Sequence, residues 1–144
     1  MQNCQYFFTI FFSLAAVYAG GLACGLYTTN SPTTVKYICE TAPLDLLVIQ
    51  NNQILEKMLK IEPEINNIVK KFVVMDPKSC SSTGYPEKVL SWQELLEIGN
   101  EVDNKVLTDI ESKQSVNQAC MLQYTSGTTG PPKGMDLICM YLVQ

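Results

Sequence analysis

Histidine and arginine are missing from all 144 residues, and each absence removes a class of chemistry. Without histidine the chain has no Ser-His or Cys-His nucleophile pairing, no imidazole metal ligand and no imidazole general base. Without arginine, and with 14 acidic residues against 10 lysines, it has no basic field of the kind that phosphate-backbone recognition needs. Nucleic acid is therefore not expected as a partner. Cysteine is sparse, with six residues (Cys4, Cys24, Cys39, Cys80, Cys120, Cys139), well under the roughly 8–10% of a disulfide scaffold. No two have C-x-x-C spacing, so a zinc site is not expected. Cys24, Cys39, Cys120 and Cys139 fall in apolar runs and are expected as buried, reduced thiols.

Charge is also missing from one end: no charged side chain precedes Lys36. The run Tyr6 to Ala19, YFFTIFFSLAAVYA, therefore admits two readings. As a leader or membrane anchor it lacks a basic flank, and its apolar stretch would have to continue through Gly20, Gly21 and Gly25. As a buried helix, with Asn3 as a cap, it would stop at the Gly20-Gly21 pair. The segment alone does not separate the two.

What is present is ordinary globular material, 47% hydrophobic and 17% charged, enough for one domain or part of one. Leu22 to Thr29 reads as a buried strand, Asn30-Ser31-Pro32 as a turn and helix start, and Thr33 to Thr41 as a helix. Leu44 to Ile49 (LDLLVI) has strand length. After Asn51-Asn52, residues Ile54, Leu55, Met58 and Ile61 recur at helical spacing, with Glu56 and Lys60 on a solvated face. Another strand is expected before Asp76, and Pro77 to Pro86 has loop composition. Ser91 with Glu94 forms a capping-box pattern, and Trp92, Leu95, Leu96, Ile98, Val102 and Val106 predict one amphipathic helix to about Leu107. A polar stretch, Thr108 to Gln118, leads into a last strand, ACMLQY. The alternation of short apolar strands and helices predicts an α/β domain with a largely parallel sheet and flanking helices.

That last strand runs into Tyr124 to Gly134, YTSGTTGPPKG. Glycines allow backbone N–H groups to turn inward as an anion nest, hydroxyls add donors, and a lysine supplies a compact positive charge. A polyphosphate site needs those properties; a plain surface turn has the same composition. A Walker loop is excluded, because Pro131 and Pro132 remove two N–H donors and suit the interior of a following helix poorly.

The ordered string closely resembles the phosphate-binding signature of the adenylate-forming enzymes, which include acyl-CoA synthetases, luciferases and peptide-synthetase adenylation domains. Upstream, the stretch from Asn3 to Pro32, with its AGG and later YTTNSP, resembles the corresponding segment of bubblegum-type long-chain acyl-CoA synthetases. SWQELLEIGNEV resembles the helix before their loop. The resemblance favours an internal helix over a leader for the apolar start. It implies that residues 1–144 are a partial N-terminal domain of such an enzyme, truncated at both ends, with a divergent tail over 135–144. It further implies that Thr125, Ser126, Gly127, Thr128, Thr129 and Gly130 wrap the β- and γ-phosphates of ATP and that Lys133 adds charge as pyrophosphate leaves. Members of the family use ATP, Mg2+ and coenzyme A to turn a fatty acid into its thioester. By the same resemblance the expected ligands are ATP and a fatty acid, and the expected location is the cytoplasm, with peripheral association at the endoplasmic reticulum membrane. Gln123 departs from the usual apolar residue there, and Met135 to Cys139 does not continue in the family manner. The chain by itself is expected to be inactive. A small secreted or membrane-anchored protein and a non-catalytic ATP-binding remnant are the alternative readings.

Overall fold

Helices and short strands alternate along the chain, in the order α1 (Gln2–Tyr18), β1 (Ala23–Cys24), α2 (Pro32–Thr41), β2 (Leu46–Ile49), α3 (Asn52–Ile65), β3 (Lys71–Val74), β4 (Val89–Ser91), α4 (Trp92–Asn100), α5 (Asn104–Glu111), β5 (Ala119–Thr125) and β6 (Lys133–Ile138). The computed structural model describes residues 2–42, 44–65, 68–76, 87–125 and 132–138. The chain divides into two units, Tyr27–Val102 on the one hand and Met1–Leu26 with Asp103–Gln144 on the other.

In the first of these units β2, β3 and β4 form a parallel sheet in that order, with Leu47 opposite Phe72 and Phe72 opposite Val89. The central strand is buried on both faces: Phe72, Val73 and Val74 are each no more than 1% exposed. A parallel strand with neighbours on both edges and cover on both faces has no polar side to present, which explains the unbroken FVV. Each such side chain contributes roughly 1.5–3 kcal/mol relative to leaving it in water. Ser31 accepts a hydrogen bond from the Thr34 N–H at 3.2 Å and Pro32 takes the first helical position, so α2 starts where the sequence predicts. Asn51 does the same for α3 by accepting from the Ile54 N–H at 3.1 Å. α3 turns Leu55 and Met58 inward, leaves Glu56 and Lys60 exposed, and packs against α2 and β2. Cys39 is buried as expected. Pro77 to Pro86, predicted as a loop, lies outside the described residues.

The helix predicted from Trp92 to Leu107 is two helices. Ser91 and Glu94 do form the capping box that opens α4. The helix closes after Asn100, where the Glu101 and Val102 N–H groups bond back to Ile98 and Gly99. Asp103 then adopts an extended conformation and accepts from the Lys105 N–H at 2.9 Å, starting α5 afresh. A competing N-cap inside a continuous apolar pattern is what the periodicity hid. The polar stretch from Thr108 accordingly begins as helix.

In the second unit α1 is continuous but is not buried along its described length. Phe12, Ser13, Ala16 and Val17 are half-buried, whereas Ile10, Phe11, Leu14 and Tyr18 are 42–61% exposed. A helix apolar all round has more apolar surface than its neighbours β1, α5 and β5 cover. Its end is the predicted glycine pair: the Gly21 N–H reaches the Ala16 carbonyl at 2.8 Å, the Gly20 N–H reaches Val17 at 2.9 Å, and Gly20 has φ +76°. The Gln114 amide, nearly a hundred residues on, also donates to the Val17 carbonyl at 2.7 Å. None of the helices in the described residues is long and apolar enough to cross a membrane. The expected strand over Leu22 to Thr29 shortens to β1, which pairs in parallel with β5, and β5 pairs antiparallel with β6. Met135 to Ile138, read as the start of the divergent tail, thus continue a strand, while 139–144 lie outside the described residues.

Candidate phosphate-binding hairpin

β5 is a seven-residue strand in which Cys120 and Tyr124 are buried. It carries the chain to Thr125, and β6 brings it back from Lys133. The two residues are directly opposed in the antiparallel register, followed by Tyr124 with Gly134, Gln123 with Met135 and Leu122 with Asp136. Opposed residues share a face of the pleat, so Thr125, Lys133, Gln123 and Met135 stand on one side and Leu122, Tyr124 and Asp136 on the other.

This register gathers the two described members of the predicted site at the mouth of the hairpin. Thr125 and Lys133 are both exposed, and the Thr125 hydroxyl donates a long bond, 3.5 Å, to the Lys133 carbonyl. The hairpin has two charged residues in its strands, Lys133 and Asp136, and the pleat sends them to opposite faces. Lys133 therefore shares its face with no carboxylate from either strand, which leaves its charge available to an anion at the mouth. Ser126, Gly127, Thr128, Thr129 and Gly130 lie outside the described residues. Gln123, the polar departure from the family pattern, is on the exposed face, where it has water and needs no buried partner.

The return by an antiparallel strand agrees with the reading that this is not a Walker loop, whose lysine enters a helix. Pro132 precedes β6, a position where its missing N–H and fixed φ are tolerated. Two residues of the hairpin escaped the site reading. A Cβ at position 134 would lie 3.3 Å from Leu122 Cδ1 and 3.3 Å from Tyr124 Cζ, so Gly134 is the seat of the Tyr124 ring. The signal was a glycine in an otherwise strand-like run, which marks a close approach.

Among the described residues, other polar groups give no second candidate. No group of three or more His, Cys, Asp or Glu that could hold a metal ion is found among the described residues. Cys24 is half-buried, and that burial pushes its thiol above the ordinary cysteine value, which leaves it the protonated, unreactive form. Lys36 with Glu40 at 3.9 Å and Lys70 with Asp45 are surface pairs of the kind that contribute little.

The sequence model described as AMP-binding enzyme matches residues 1–138, which takes in the apolar start, the hairpin and β6. The chain is 39% identical over 126 residues to the long-chain-fatty-acid–CoA ligase ACSBG2 of Rattus norvegicus, covering 87% of this chain and 18% of that protein. It is 38% identical over 128 residues to the Gallus gallus ACSBG2 ligase, covering 86% and 16%. It is 37% identical over 127 residues to the Rattus norvegicus ligase ACSBG1, covering 88% and 17%. The chain thus spans less than a fifth of the length of these curated relatives. Among solved structures, the anthranilate CoA ligase AuaEII in complex with anthranoyl-AMP superposes with a TM-score of 0.61 at 22% identity, over 88% of this chain and 22% of that one. An acyl-CoA synthetase of Brucella canis superposes with a TM-score of 0.50 at 15% identity, over 85% and 20%. These two likenesses bear on the fold.

Proposed function

The chain belongs to the AMP-binding enzyme family, and from that premise we propose that it is a segment of the N-terminal domain of a long-chain fatty-acid–CoA ligase whose ATP phosphates are met by the Thr125–Lys133 hairpin. The observation that carries the reading is the opposition of Thr125 and Lys133 at the exposed end of β5 and β6, one bearing a hydroxyl and the other a cation on a single face. In the proposed first half-reaction a fatty carboxylate oxygen bonds to the α-phosphorus of ATP and the bond from that phosphorus to the bridging oxygen breaks, releasing pyrophosphate. Transfer of the acyl group to the thiol of coenzyme A completes the cycle.

This segment's part is to hold charge in place. Thr125, Ser126, Gly127, Thr128, Thr129 and Gly130 supply hydroxyl and backbone N–H donors to the β- and γ-phosphates, and Lys133 offsets negative charge as pyrophosphate departs. Such chemistry is mostly positioning and charge stabilisation, and it needs no histidine base. When bound, Mg2+ supplies further neutralisation of the phosphates. The described residues fit the anion and offer no carboxylate cluster to the metal, so Mg2+ and coenzyme A belong to the proposal for the whole protein. So do the fatty-acid substrate, a cytoplasmic location and peripheral association with the endoplasmic reticulum membrane. In this reading the 144 residues alone are inactive and retain at most the loop that meets the ATP phosphates.

The test is fatty-acid-dependent exchange of labelled pyrophosphate into ATP by the whole protein. Exchange with long-chain acids, reduced about a hundredfold by Lys133→Ala, is the expected result. No exchange with any carboxylate, or exchange indifferent to Lys133, would sink the reading.

A further inference from the structure

Resting on the phosphate reading of the hairpin, we infer that the Tyr124–Gly134 contact is the positioning device of the site: the ring, seated on a glycine that cannot push back, fixes where β6 delivers Lys133. Among the described residues the sheet order is β1-β5-β6, so β5 is the strand that β6 pairs with. The placement of β6 against β5 depends on the ladder the two make and on cross-strand packing. Tyr124 is 8% exposed, and its ring meets position 134 with Cζ and Cε1 at 3.3 and 3.4 Å from where a Cβ would stand. Leu122 Cδ1 closes the same space at 3.3 Å. An aromatic laid across a cross-strand glycine replaces the packing the glycine lacks and pins the register. Lys133 is the next residue along, opposite Thr125. A side chain at 134 must therefore rotate the ring or lift β6, and lifting β6 moves Lys133 away from the phosphates.

In this inference Gly134 and Tyr124 are positioning residues, acting on the phosphates through Lys133. In pyrophosphate exchange by the whole protein, Gly134→Val is expected to raise the KM for ATP about tenfold or more, with the KM for the fatty acid unchanged. A merely structural defect would instead lower the active fraction and leave both KM values alone. Tyr124→Phe keeps the ring on Gly134 and is expected to raise the KM for ATP less than Tyr124→Ala does. If Gly134→Val does not fold, Tyr124→Ala asks the same question without added bulk, and the double variant Gly134→Val with Tyr124→Ala is expected to recover ATP affinity because the valine then has room. An unchanged KM for ATP in both single variants, or equal rises for ATP and fatty acid, overturns the inference. Wild-type protein that neither exchanges pyrophosphate nor binds ATP overturns the phosphate reading first, and the inference with it.

Discussion

Gly20 shows how much one residue without a Cβ can carry. Its φ of +76° closes α1, and a Cβ there would stand 2.8 Å from Ile110 Cγ2, closer than carbon atoms approach. Two costs therefore add in Gly20→Ala: the left-handed backbone, about 1 kcal/mol, and displacement of Ile110, of similar size. A loss of about 2 kcal/mol in thermal or urea unfolding is expected, and a Gly20→Ala chain as stable as wild type would contradict the arrangement. At Cys24 the expectation concerns reactivity. Because burial raises its thiol pKa, the thiolate fraction at pH 8 is smaller than that of a free cysteine. Cys24 should therefore alkylate more slowly than an unstructured thiol, and Cys39 and Cys120, both buried, only on unfolding. Rapid labelling of either buried thiol under native conditions would show that its surroundings open.

At the scale of elements, α4 is the clearest case of local sequence deciding structure. The Ser91 N–H donates to Glu94 Oε2 at 2.6 Å, and the Glu94 N–H donates to Ser91 Oγ at 3.1 Å. The first of these bonds, followed by the Ser91 side-chain bond, holds the Glu94 carboxyl below its ordinary value. A depressed folded pKa means that the stabilisation is present above the unfolded value and fades as pH falls through the folded one. The stability gap between wild type and Glu94→Gln should accordingly be open at neutral pH and close on acidification below about 4. A gap that persists at pH 2 would assign the effect to something other than the charge. Caps of this kind were legible because they depend on neighbours in sequence: Ser31, Asn51, Ser91 and Gly20 all act where the residue types predict. Legibility failed where a choice depended on distant partners. Nothing local in Met135 to Ile138 announces that β5 will hold it as an antiparallel strand. Nothing in FFTIFFSLAAVYA states which side of α1 its neighbours will cover. For the candidate site the chemistry of Thr125 and Lys133 was readable from the string, while their opposition across the ladder, and the ring on Gly134 beside it, required the register.

At the scale of the molecule, burial among the described residues is uneven in a way that bears on function. Among the residues whose burial is described, eleven of the fourteen buried apolar ones belong to Tyr27–Val102, Phe72, Val73, Val74 and Leu55 among them. Met1–Leu26 with Asp103–Gln144 contributes Ala23, Cys120 and Tyr124. That second unit is also assembled from two remote stretches, so it bears a loop-closure cost that the continuous first unit does not. Local opening is cheapest where few apolar contacts resist it, and segments that must close around a ligand come from that end of the range. Backbone amides of β3 should therefore exchange with deuterium slowest, those of β1 and β6 much faster, and ATP or pyrophosphate should slow exchange in β6 without altering β3. Equal protection of β3 and β6 in the absence of ligand would mean that the hairpin is as firmly held as the core. In that event the sheet itself, and not the Tyr124 ring on Gly134, would be what keeps Lys133 in place.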